Sequence, residues 1–214
     1  MEDVLEVYQR PPDPQQPLVC MDEASRQLIE EVRAPLQAQP AKPQRTDSEY
    51  KRNGTANVFM LYEPLNGKRH VRVTDRRAQT DWAMLIRELV DQIHPEAAKI
   101  TLVMDNLNTH ASASLYEAFD PAEARRISSK LEVHYTPKHG SWLNMAEIEL
   151  SVLQRQCLSQ RIPSRTVLET HVASWEKRRN ESSAPTEWQF TAQDARIKLK
   201  HLYPKPLPIQ DEAK

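Results

Sequence analysis

The run Ile100-Thr101-Leu102-Val103-Met104-Asp105 decides how this chain folds: five strand-forming residues without polar alternation, closed by an acid. A short run of this kind reads as a strand covered on both faces, as in a parallel sheet between helices. A second such run, Leu18-Val19-Cys20-Met21, stops at Asp22-Glu23. Between the two, residues 58–62 and 70–73 read as strands joined through Pro64-Leu65-Asn66-Gly67, where Asn-Gly marks a hairpin. Trp82, Leu85, Ile86, Leu89, Val90 and Ile93 then recur at helical spacing, and Pro95 lies just past their end.

Beyond Asp105, a helical segment from about Ala111 to Ser128 leads to the strand Leu131-Glu132-Val133-His134-Tyr135, and Thr136-Pro137-Lys138-His139-Gly140 breaks the chain. Ser141 is placed to cap a helix reaching about Gln160, with Met145, Ile148 and Val152 on one face. Ser164 and Thr191 open two more helices. A hairpin followed by strands alternating with helices predicts an α/β fold, a mixed five-stranded sheet flanked by helices. Residues 1–17, with Pro11, Pro12, Pro14 and Pro17, read as an irregular lead-in, residues 34–50 as a loop, and residues 205–214 as a disordered tail.

Composition narrows the chemistry. With 3 glycines in 214 residues, no Gly-rich phosphate loop can be written. Hydrophobic residues at 39% and charged residues at 28% describe a polar but globular chain. The net charge of -1 hides a gradient: residues 1–50 carry 5 Lys/Arg against 10 Asp/Glu, and residues 125–201 carry 13 against 8. Cys20 and Cys157 are too few for a disulfide framework or zinc ribbon. No apolar run of about 18 residues and no signal peptide is visible, so a cytoplasmic protein without a membrane partner is expected.

If the strands ending at Asp22 and Asp105 are neighbours, two carboxylates emerge at one sheet edge. Such a pair is unfavourable unless a hard divalent cation lies between them. An Asp after a strand is also ordinary turn chemistry. Glu147 and Glu149 on the late helix are the candidate third ligands. They are about 200° apart around the axis, so both cannot face one site.

These segments resemble a known family. Val19-Cys20-Met21-Asp22-Glu23, Val103-Met104-Asp105-Asn106-Leu107-Asn108-Thr109-His110 and Ser141-Trp142-Leu143-Asn144-Met145-Ala146-Glu147 resemble the DDE catalytic domain of mariner-type bacterial insertion-sequence transposases over about residues 18–204. The resemblance implies a ribonuclease H-like fold in which Asp22, Asp105 and Glu147 hold two Mg²⁺ ions, with Mn²⁺ as a substitute. They would cleave DNA phosphodiesters and transfer strands. Asn106, His110 and Asn144 occupy motif positions beside these acids, where they would orient the site or simply fix the loop.

The implied partners are DNA, both transposon terminal repeats and a target site such as a TA dinucleotide, and further copies of the chain in a dimer or larger complex. Lys68, Arg69, Arg72, Lys138 and Arg155 are candidate phosphate contacts. His139 fits a phosphate contact or a turn-stabilising role, and Trp142 a base-stacking platform or a packing role. Nothing before Leu18 reads as a helix-turn-helix, so a separately encoded DNA-binding module is expected. An inactive remnant that only binds DNA and a stand-alone ribonuclease H-like nuclease or junction resolvase are the rival readings.

Overall fold

The computed structural model describes residues 1–36, 38–43, 45, 47–107, 110–138 and 140–203. Its centre is a five-stranded sheet: β1 (Leu18–Glu31), β2 (Tyr50–Glu63), β3 (Lys68–Thr74), β4 (Ile100–Met104) and β5 (Leu131–Tyr135). The order is β3-β2-β1-β4-β5, with β1–β2 and β2–β3 antiparallel and β1–β4 and β4–β5 parallel. The sheet is therefore mixed and five-stranded, as the hairpin and strand-helix alternation imply.

Strand pleating divides the core in two. Cys20, Met60, Tyr62 and Val103 face one side, with α1 (Glu2–Tyr8), α5 (Met145–Gln156), α6 (Arg165–Glu181) and α7 (Ala192–Lys198). Val19, Met21, Phe59, Leu61, Leu102 and Met104 face the other, with α2 (Gln79–Glu88), α3 (Ser112–Ala118) and α4 (Pro121–Ser129). At the β2–β3 turn, Gly67 has φ +61, and a Cβ there would lie 2.6 Å from the backbone carbon of Ala184. Both the dihedral and the close approach require glycine.

Several expectations are corrected. Residues 1–17 are not wholly irregular: α1 forms and buries Val4, Leu5, Val7 and Tyr8 against the sheet. The prolines begin only at Pro11, beyond the helix end, and leave that short apolar stripe free to dock. β1 and β2 run past the expected strands, pairing Arg26 to Glu31 with Tyr50 to Ala56 as a two-stranded ribbon with a bulge at Gln27/Ile29. The expected helix from Ala111 to Ser128 is two helices, because Asp120 caps a new one through Ala122 and Glu123 N–H and Pro121 fills its first position. Ser141 does not cap α5; it starts a 3₁₀ turn (Ser141–Leu143), and Asn144 is the cap. The buried face of α5 is Met145, Ala146, Glu149 and Leu153, with Ile148 exposed. The tail lies outside the described residues.

Candidate active site

The register of the parallel pair sets the two aspartates together. Leu18, Val19 and Cys20 lie opposite Thr101, Leu102 and Val103, so two residues further on Asp22 is level with Asp105. Cys20 and Val103 face the α5 side, and the alternation carries Asp22 to that side, with Asp105 beside it just past the end of β4. Asp22 is not at the end of its strand, as the sequence implies, because β1 goes on pairing with β2 after β4 has stopped. The functional edge is thus the C-terminal end of β4.

Helix α5 is anchored at the same edge. The buried Asn144 side chain accepts the N–H of Ala146 at 3.1 Å and donates through Nδ2 to the carbonyl of Met21 at 2.7 Å. The helix start is thereby tied to the residue preceding Asp22. Glu147 is the third residue of α5 and exposed. Although Asn-x-x-Glu is a capping-box pattern, its carboxylate makes no hydrogen bond or ion pair among the described residues. Glu149 points the other way: it is buried and ion-paired to Arg69 at 2.8 Å and Arg179 at 3.0 Å. These pairs outweigh the burial that disfavours its charge and hold its carboxyl below the ordinary carboxylate range.

The acids act on one another. Burial pushes the Asp22 carboxyl up to about 7 against the N–H of Glu23, with the negative charges of Glu23, Asp105 and Glu147 adding to the shift. No cation among the described side chains pairs with Asp22 or Glu147. Two adjacent aspartates and a free glutamate, all oxygen donors, fit a hard divalent cation, with Asp22 and Glu147 unpaired to any side-chain cation among the described residues.

His110 belongs beside this site. It is fully buried, its Nδ1 is 2.6 Å from Asp105 Oδ1, and its Nε2 is 3.2 Å from Glu23 Oε2, a pair too misaligned for a hydrogen bond. Burial opposes its charge, but the two carboxylates prevail and raise its pKa to about 9. Trp82 stacks at 6.1 Å and the Tyr135 hydroxyl donates to the His110 carbonyl at 3.0 Å. Glu23, Asp105 and His110 approach one another closely enough to hold a cation, but a charged imidazole between two carboxylates already neutralises that space. Glu23 escaped the sequence reading as a site residue; its signal was its place opposite in the pleat to Asp22, on the face that carries Trp82. Asn106, next to Asp105, is exposed.

The basic candidates divide. Arg69 is fully buried in its pairing with Glu149, with its guanidinium over the Tyr62 ring at 4.7 Å, so it is not available to phosphate and the expectation is corrected. Arg72 is paired to Glu88, and Lys68 donates to the Asn180 carbonyl at 3.1 Å. Lys138 and Arg155 are exposed. Trp142 is 42% exposed and shares an open groove with Glu147, Ile148, Ser151 and Arg155. His139, Asn108 and Thr109 lie outside the described residues.

The family model described as DDE superfamily endonuclease matches residues 17–169. Among solved structures, the chain is similar to the Mos1 mariner paired end complex with Mn, at 14% identity and a TM-score of 0.58, over 85% of this chain and 54% of that one. The Mos1 transposase paired-end complex with left transposon end gives 13% and 0.56 over 86% and 57%, and the Mos1 strand transfer complex 12% and 0.55 over 85% and 55%. The chain spans a little over half the length of these relatives. No curated protein sequence matches it. The match covers both strands that carry the aspartates and the helix that carries Glu147, and the chain belongs to the DDE superfamily endonucleases.

Proposed function

We propose that this chain is a transposase catalytic domain that cleaves DNA phosphodiesters and joins transposon ends to target DNA, using divalent metal held by Asp22, Asp105 and Glu147. The observation that carries the reading is the placement of three carboxylates, Asp22 on β1, Asp105 level with it just past β4 and Glu147 in the first turn of α5, of which only Asp105 is paired to a side-chain cation among the described residues. Two Mg²⁺ ions, or Mn²⁺ as in the Mos1 complex named with Mn, would activate the attacking oxygen and stabilise the leaving one in an in-line displacement.

The protein's own part is placement. Asp105 is held through one oxygen by His110, which leaves its other oxygen for the cation. Asn144 ties the first turn of α5, which carries Glu147, to Met21, the residue before Asp22. Lys138 and Arg155 are the exposed basic candidates for the phosphate backbone. DNA as partner is supported by the paired-end and strand-transfer complexes of the Mos1 relatives. Action in a dimer or larger complex, with a helix-turn-helix module recognising the terminal repeats, is part of the same proposal.

The test is strand transfer. Incubated with Mg²⁺, pre-cut terminal-repeat DNA bearing a free 3′-hydroxyl and a supercoiled plasmid, the chain with its DNA-binding module joins one DNA to the other. Cleavage confined to four-way junctions would instead establish a resolvase. DNA binding with no cleavage of any substrate would establish the remnant reading.

A further inference from the structure

An open cleft of about 370 Å³ lies where the end of α5 meets the last turns of α6, lined by Gln156, Trp175, Arg178, Arg179 and Ser182. Trp175 is its floor, a buried ring whose indole N–H donates to Gln156 Oε1 at 3.0 Å. That bond occupies the oxygen of the Gln156 amide and leaves its Nε2 hydrogens without a partner among the described residues. Ser182 donates its hydroxyl to the Arg179 carbonyl at 2.7 Å and closes the helix end.

Arg179 is fixed before any ligand arrives. Its Nε and Nη2 donate to the buried Glu149 at 3.3 and 3.0 Å, and its Nη1 has no partner among the described residues. Arg69 pairs with the same carboxylate, so the three groups together carry a net positive charge. Arg178 is exposed and makes no ion pair among the described residues, whereas Arg72, Arg126, Arg165 and Arg196 on the surface each hold a carboxylate. No carboxylate among the described residues lines the cleft. Two guanidinium groups and an amide with N–H donors to spare fit a phosphate, which a guanidinium meets with paired donors.

From this construction we infer that the α5–α6 cleft is a second DNA anchor, taking one backbone phosphate of the duplex about four base pairs from the scissile bond. The inference rests on the proposed function, since that reading puts the scissile phosphate at Glu147. Glu147 is the third residue of α5 and Gln156 its last, so the helix rises about 14 Å between them. Base pairs advance by about 3.4 Å each, and about four of them cover that rise in a duplex laid along the helix. A contact of this kind holds DNA in place without reading its sequence. An acidic protein segment fits less well, because a peptide interface is centred on apolar and aromatic surface and the one ring here is 2% exposed.

The test is duplex binding by the full chain with Ca²⁺ in place of Mg²⁺, read across a salt series. Arg178→Gln alters an exposed, unpaired side chain, and Arg125→Gln makes the same charge change on α4, across the sheet. Arg178→Gln is expected to weaken binding about tenfold at about 0.1 M salt and to lower the slope of log affinity against log salt by about 1, alike for every sequence. Arg125→Gln moves neither. Single uncharged methylphosphonates scanned along the duplex locate the contact: one placed about four base pairs from the cleavage site weakens the wild type and leaves Arg178→Gln unmoved. An unchanged slope in Arg178→Gln, or a loss equal to that of Arg125→Gln, overturns the anchor. So does an Arg178→Gln protein of wild-type DNA affinity that loses either thermal stabilisation by inorganic phosphate, which assigns the cleft to a free anion, or self-association, which assigns it to a second copy. The slope change in a chain that never cleaves DNA contradicts the catalytic proposal and leaves the anchor standing, and cleavage without the slope change does the reverse.

Discussion

Asp22 carries the cost of assembling the site. Its carboxyl is pushed up to about 7, so the folded protein favours its protonated form. As pH rises from the ordinary Asp value of 3.8 through about 7, the unfolded chain releases this proton first and stability falls. Without divalent metal, Asp22→Asn should therefore melt higher than the wild type, by a few degrees for roughly 1 kcal/mol. That gap should widen between pH 4 and pH 7 in paired thermal melts. Mg²⁺ should raise the wild-type melting temperature and leave the Asp22→Asn protein nearly unmoved. A variant that melts lower at every pH, or gains as much from Mg²⁺, contradicts the reading of Asp22 as an uncompensated ligand. Asp22 and Asp105 were visible in the sequence because each follows an apolar run, and Glu147 only through the motif. Its own face of α5 is exposed, and no periodicity separates a metal ligand from a solvated glutamate.

Helix α5 does two jobs through two glutamates two residues apart, and the element is where they can be separated. Glu149 pins the helix to β3 through Arg69 and to α6 through Arg179. Removing its charge leaves a fully buried guanidinium with one partner fewer, so Glu149→Gln should cost about 3–5 kcal/mol in urea unfolding. Its folded carboxyl is depressed, so the contribution is present above the ordinary carboxylate range and fades as pH falls through and below it. The deficit of the variant should shrink in acid. Asn144→Ala deletes a helix cap worth about 1 kcal/mol and frees the Met21 carbonyl. Cleavage should drop by more than that stability loss accounts for, because the turn that carries Glu147 is no longer tied to Met21 beside Asp22. Rates that fall only in step with the unfolded fraction contradict that role. The sequence showed a helix here but mistook its face. Glu149 sits at a core position because its partners come from residues 69 and 179, and pairing across such distance leaves no local signature. The same limit hid the continuation of β1, since Glu23 to Glu31 lacks an apolar alternation and is fixed by its register with β2.

At the scale of the whole molecule, a mixed sheet covered on both faces brings three distant segments of chain to one edge. The apolar runs and the Asn-Gly hairpin made that architecture legible, whereas α1 was hidden by the prolines that follow it. Because Val4, Leu5, Val7 and Tyr8 are buried beside the turn that precedes α5, deleting residues 2–9 should destabilise the chain by several kcal/mol. Circular dichroism melts of the truncated protein read this directly, and an unchanged melting temperature would remove α1 from the core. The charge gradient has a corresponding layout: exposed Arg155 shares a groove with Glu147, while buried Arg69 serves the fold. The most direct measurement of the central claim is metal-dependent nicking of DNA by the wild type and by Asp22→Asn, Asp105→Asn and Glu147→Gln, each shown folded by its melt. Nicking that requires Mg²⁺ or Mn²⁺ and falls by at least about a thousandfold in all three variants is expected, and nicking that survives any one of the substitutions, or proceeds in excess chelator, would contradict it.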